Sequence, residues 1–128
     1  MDARAARRSV ADDVLRMTQV NGGLGLIIAG EIDESSYPRL LRGLGALNAR
    51  DDVHIDLAGV SFCDLAGLRA IVCAGEPGTD GSARGHLTLH AVPGRLRRIL
   101  EILGWDDMPG VGFTDERLPA GHEQHAGQ

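Results

Sequence analysis

Apolar residues fall in short runs along this chain, and the spacing within the runs changes from one to the next. Val14, Leu15 and Met17 open a first strand over 14–19. Asn21-Gly22-Gly23 has the composition of a hairpin turn. Leu24 to Ala29 is nearly all apolar, as a strand in a sheet centre should be. Tyr37, Leu40, Leu41, Leu44 and Leu47 recur at helical spacing and predict a helix over 36–48. Ser35 or Ser36 suits its cap and Pro38 its first turn.

Val53 to Leu57 reads as a strand. The helix after it, 64–75, places Leu68, Ile71, Val72 and Gly75 on one face. Glu76 to Gly85 is a Gly-rich loop, and His86 to Val92 alternates as a strand would. Pro93 to Leu103 predicts a helix with Leu96, Ile99, Leu100 and Leu103 inward, and Val111 and Phe113 suit a last short strand. The order ββαβαβα(β) predicts an α/β fold, a mixed sheet of four or five strands covered by three to four helices.

Composition narrows the function more than the fold. A chain of 128 residues holds one domain, and its net charge of -5 argues against a nucleic-acid binder, which needs a basic surface. All 13 basic residues are arginine, so neither a Schiff-base lysine nor a P-loop lysine exists. The first residues lack the apolar core of a signal peptide, and no apolar run approaches the length of a membrane span. The expectation is a cytoplasmic protein with no membrane partner. Two cysteines, Cys63 and Cys73, form neither a disulfide framework nor a zinc-ligand spacing.

One segment carries more chemistry than the rest. Asp64-Leu65-Ala66-Gly67-Leu68 is an Asp-led turn that ends a strand and opens a helix, where free backbone N–H groups and the positive end of the helix dipole meet. Together with Asp56-Leu57, Val60, Phe62 and Ile71-Val72 it resembles the strand and turn of a STAS domain, specifically a bacterial anti-sigma factor antagonist. Gly30-Glu31-Ile32-Asp33 and the segment from Pro93 to Gly104 resemble two further marks of that family. The resemblance covers 12–113 and leaves 1–11 and 114–128 as flexible tails.

The resemblance implies a non-enzymatic module that binds an anti-sigma factor of the histidine-kinase-like ATPase type and frees its sigma factor to regulate transcription. It also implies a partner-binding rim made of Asp33, Cys63, Asp64, Leu65, Ala66 and Gly67. In the family the residue before that glycine is a Ser or Thr that the partner kinase phosphorylates, and here it is Ala66. The phosphate, about −1.5 to −2 charges, has no hydroxyl to sit on at that position.

Plainer readings stand beside these. Asp33 and Asp64 are good helix caps. Leu65 lies at the edge of its helix's core face. Cys63 and Cys73 read either as small buried hydrophobes or as redox groups, and Asp64 and the helix start pull the Cys63 pKa in opposite directions. The cysteines stand ten positions apart along a mostly helical stretch, which argues against a bridge between them. His54, His86 and His90 fall on strands without metal-ligand spacing, and no nucleophile elbow or dinucleotide fingerprint occurs, so neither a metal, a cofactor nor an enzymatic role is expected. The alternatives are a STAS subunit of a lipid-transport ATPase complex and a nucleotide-binding sensor whose pocket uses the loop before His86.

Overall fold

The computed structural model describes residues 14–47, 51–75 and 85–119. Its sheet has five strands: β1 Leu15–Val20, β2 Gly25–Ile32, β3 Val53–Cys63, β4 Leu87–His90 and β5 Val111–Thr114. They lie in the order β1-β2-β3-β4-β5. The β1–β2 pair is antiparallel and the three pairs that follow are parallel. The helices α1 Tyr37–Gly45, α2 Leu65–Val72 and α3 Gly94–Leu103 make the three parallel crossovers. Each crossover steps the sheet in the same direction, so right-handed connections bring all three helices to one face. Leu40, Leu68 and Leu96, one from each helix, accordingly join Ile28, Ile55 and Leu89 in a single buried core.

The α/β architecture is the expected one, with two strands longer than expected. β2 continues past Ala29 to Ile32, and β3 past Leu57 to Cys63. The register between them shifts after Ile27 and again after Gly30. Each shift inserts one more residue in β3 than in β2, which re-aims the side chains that follow. Beyond Leu57 the buried residues are therefore Val60 and Cys63 rather than every second one. At the same place Gly30 has φ 103, and a Cβ there would overlap the Val14 carbonyl. Only glycine allows both.

Two helical faces differ from the periodic reading. Leu41 is 45% exposed on α1, and Ile99 and Leu103 stand partly exposed on α3, which buries only Leu96 and Leu100. The expected flexible tail from 114 also needs correction over its first residues. Residues 114–118 lie against the sheet, and Leu118 is buried. The cause is the carboxylate of Asp56, itself fully buried, which accepts hydrogen bonds from the Leu118 N–H (2.7 Å) and Arg117 Nε (3.1 Å). Residues 1–13, 120–128 and all of the Gly-rich loop except Gly85 lie outside the described residues, and with them the remaining tail expectations.

Candidate partner-binding surface

The site begins where β2 and β3 end. Ile32 stands opposite Cys63, and the Asp64 N–H donates to the Ile32 carbonyl at 3.0 Å. This pairing brings the loop 33–36 beside the turn 63–67, so the structure unites the residues that the sequence places in two separate segments. Both lie at the carboxyl edge of the parallel strands, where helices begin and ligands or partners are usually met.

Asp64 is the N-cap of α2. Its backbone is extended (φ -79, ψ 174), and its Oδ1 accepts from the Gly67 N–H at 2.8 Å. That bond satisfies one of the donors that a helix start leaves open. Gly67 is fixed by space rather than by backbone angle. A Cβ there would overlap Ile32 Cγ2 and crowd Asp64 Oδ1 at 3.2 Å and Cys63 Sγ at 3.3 Å.

Asp33 plays a different part from the helix cap expected of it. Its Oδ1 accepts from the N–H groups of Ser35 (3.0 Å) and Ser36 (3.1 Å) and from the Ser35 hydroxyl (2.7 Å), which ties the loop into a turn ahead of α1. These bonds, the Ser35 hydroxyl first, hold the Asp33 carboxyl below its ordinary value. Ser36 occupies the N-cap position without capping. Its hydroxyl donates to the Glu31 carbonyl at 3.1 Å and accepts from the Asp33 N–H at 3.0 Å.

Around these two rigid turns the surface is apolar. Leu65 is 55% exposed and Phe62 50% exposed, and Ala66 presents its methyl group to solvent. Leu65 thus faces outward, not into the core. Phe62 is the residue that sequence reasoning passed over, because its outward aim depends on the β3 bulges and no period reveals it. An open groove of about 560 Å³ runs between α1 and α2 and begins at Ala66. Tyr37, Leu41 and Leu44 line one side, Arg69 and Cys73 the other.

Cys63 is buried, and burial, followed by the charge of Asp64, pushes its thiol up to about 12. The helix start does not offset those two effects, and the reactive thiolate is scarce at neutral pH. Neither cysteine is in a disulfide, and Cys73 is half-buried in the groove wall. Among the described residues, no three His, Cys, Asp or Glu side chains converge to hold a metal ion, and no helix is long and apolar enough to cross a membrane.

Residues 15–111 match the family model described as Mlab, STAS domain. An anti-sigma factor antagonist from Mycobacterium paratuberculosis has a similar structure, with a TM-score of 0.59 and 22% identity over 77% of this chain and 83% of that one. The anti-sigma factor antagonist SpoIIAA in its unphosphorylated form is similar with a TM-score of 0.54 and 14% identity, over 89% of this chain and 99% of that one. No curated protein matches by sequence. The family match spans most of the chain and includes both turns of the site, Asp33–Ser36 and Cys63–Gly67: this chain belongs to the STAS domain family.

Proposed function

We propose that this protein is an anti-sigma factor antagonist. It binds an anti-sigma factor of the histidine-kinase-like ATPase type and frees the sigma factor by competition, without catalysing a reaction. The observation that supports this reading most is the surface itself. Two hydrogen-bonded turns, at Asp33 and at Asp64, hold Phe62, Leu65 and Ala66 outward in a fixed arrangement. Both solved structures named above are anti-sigma factor antagonists, which supports the same reading. Competition for a partner needs a rigid, partly apolar patch and no reactive group.

Ala66 sets the mode of regulation. Position 66 carries no hydroxyl, so the complex forms and persists without a phosphate at that position. The test is the substitution Ala66→Glu. An acidic side chain in the first turn of α2 suits the helix dipole, so folding changes little. A complex must bury the new charge unpaired, which costs about 1–3 kcal/mol of affinity. Asp107, exposed and distant in sequence, is the control position. Calorimetric affinity for the anti-sigma partner, beside thermal melts, decides. Equal affinities for wild type and Ala66→Glu move the binding surface elsewhere.

A second reading, a STAS subunit of a lipid-transport ATPase complex, draws on the Mlab description of the matched model. It uses the same surface toward a different ATPase, and the two partners compared in one pulldown separate the readings. The nucleotide-sensor alternative relied on the loop before His86, of which only Gly85 is among the described residues.

A further inference from the structure

The sheet face away from the helices carries a polar cluster that the proposed surface does not use. Beyond β5 the chain turns back and crosses this face strand by strand. Over β4, the Glu116 carbonyl accepts from His90 Nδ1 at 2.9 Å. Over β3, Asp56 takes the Arg117 and Leu118 donors described above. Over β2, Leu118 Cδ1 lies beside Val20 against Gly25, 3.4 Å from where a Cβ on that glycine would stand. Residues 115–118 thus form a clasp with one anchor on each of three strands.

The His90 anchor is linked to a second ring. His54 Nδ1 and His90 Nε2 are 2.8 Å apart. A carbonyl only accepts, so the proton on His90 sits on Nδ1. In the neutral ring Nε2 is then the acceptor, and His54 Nδ1–H donates to it. A first added proton fits this chain, because His54 Nε2 can take it and leave the link intact. A second proton does not fit. It would set two N–H groups against each other at a contact of 2.8 Å, in a ring that is 7% exposed. The charged His90 then needs a new partner for Nε2, and the covering clasp stands between it and water.

We propose that residues 115–118 are a pH-gated clasp, closed while the His54–His90 pair holds at most one proton and released when both rings are charged. The neighbouring charges are few. Asp52 favours the charged form of His54, while His86, His90 and burial oppose it, with burial the largest effect; the balance lowers its pKa below 6.5. On the clasp, the Arg117 cation faces the Asp56 carboxylate, and the exposed Asp115 and Glu116 bring two further carboxylates to the same segment. The strand segments Gly25–Gly30 and Val111–Thr114 contribute no titratable side chain. Release therefore follows the second proton to enter the pair, the one that the facing N–H groups oppose.

The experiment is amide hydrogen exchange by NMR between pH 7.5 and 5, corrected for the intrinsic pH dependence, with both imidazole rings followed in the same samples. Protection of the Leu118 N–H should fall at least tenfold as the second ring titrates, while the Leu57 amide stays protected. In His54→Asn the side-chain amide can donate to or accept from His90 Nε2, so the clasp should stay closed at pH 5. Unchanged Leu118 protection in the wild type overturns the proposal. So does an equal fall in His54→Asn, or loss of Leu57 protection together with Leu118, which would mean global unfolding. The wild-type titration alone decides the first and last of these if the variant does not fold.

Discussion

Replacing Asp56 by alanine tests what holds the chain's last described residues to the sheet. The carboxylate is fully buried and accepts three hydrogen bonds: from the Ala58 N–H at 2.9 Å, the Leu118 N–H at 2.7 Å and Arg117 Nε at 3.1 Å. Alanine removes the two oxygens that accept all three bonds. The Arg117 side chain is 62% exposed, so its guanidinium returns to water at little cost. Ala58 is half-buried, and its N–H recovers part of its loss from water, leaving about 1 kcal/mol. The Leu118 N–H is the larger loss. Either its N–H stays covered and unpaired, at about 1–3 kcal/mol, or the clasp lifts and gives up the burial of a leucine, at about 1.5–3 kcal/mol. Relief of the carboxylate's own desolvation offsets part of this. The net expectation is a loss of about 1–3 kcal/mol, or roughly 8 °C in Tm for a domain of this size. Denaturant unfolding of Asp56→Ala, Arg117→Ala and the double variant measures it. Arg117→Ala should lose at most about 1 kcal/mol, and Asp56→Ala should cost nearly as much on top of it as alone. If Asp56→Ala loses less than about 1 kcal/mol, or no more than Arg117→Ala, the backbone donors do not depend on the carboxylate and the reasoning fails.

Other positions give sharper single readouts. Gly67→Ala should cost about 1–3 kcal/mol in a denaturant melt, because its Cβ must displace the fully buried Ile32. Ala91, held at φ 53 after β4, should gain about 0.5–1 kcal/mol as Ala91→Gly in the same measurement, since glycine adopts that angle without strain. In folded protein at pH 8, iodoacetamide should modify Cys73 well before Cys63, whose thiol at about 12 leaves on the order of one thiolate in ten thousand; peptide mapping reads the order. His54 has a folded pKa lowered from 6.5, so the unfolded chain takes up its proton first, and its contribution to stability is complete above pH 6.5 and lost as pH falls below it. The denaturation midpoint should therefore drop on acidification below pH 6.5 and drop less in His54→Asn.

The elements were legible because their apolar spacing follows period rules wherever the backbone is regular. The Asp64 cap and the Gly67 position could be read because each is a local device, settled within four residues. β3 beyond Leu57 was not legible. Its two bulges break the alternation, so Val60 and Cys63 turn inward and Phe62 outward with no signal in their own spacing. Leu41 and Ile99 failed for another reason. Helical spacing marks an apolar stripe, but how much of the stripe is covered depends on the neighbouring elements, and the groove beside α1 leaves Leu41 open. Least legible was the clasp. Asp56 holds the Leu118 N–H across 62 residues of sequence, and a segment without periodic apolar residues gives no sign that a buried carboxylate holds it.

The size of the exposed patch bears on the partner. Phe62 and Leu65 are about half exposed, and covering what remains of each is worth about 1 kcal/mol. A micromolar complex needs about 8 kcal/mol beyond the cost of association, and a stable interface covers about 800 Å² on each side. The two turns are therefore the centre of the surface and not its extent. The adjoining apolar area is the groove that starts at Ala66, where Leu41 is 45% exposed on the far wall. Leu41→Asp places a charge there with little effect on folding, since the side chain already meets solvent. If the groove belongs to the interface, this variant should weaken anti-sigma binding by about 1–3 kcal/mol in the same calorimetric assay used for Ala66→Glu. Full affinity in Leu41→Asp beside a loss in Ala66→Glu would confine the partner to the turns, and the missing contact area would then have to come from the side of the Asp33 loop.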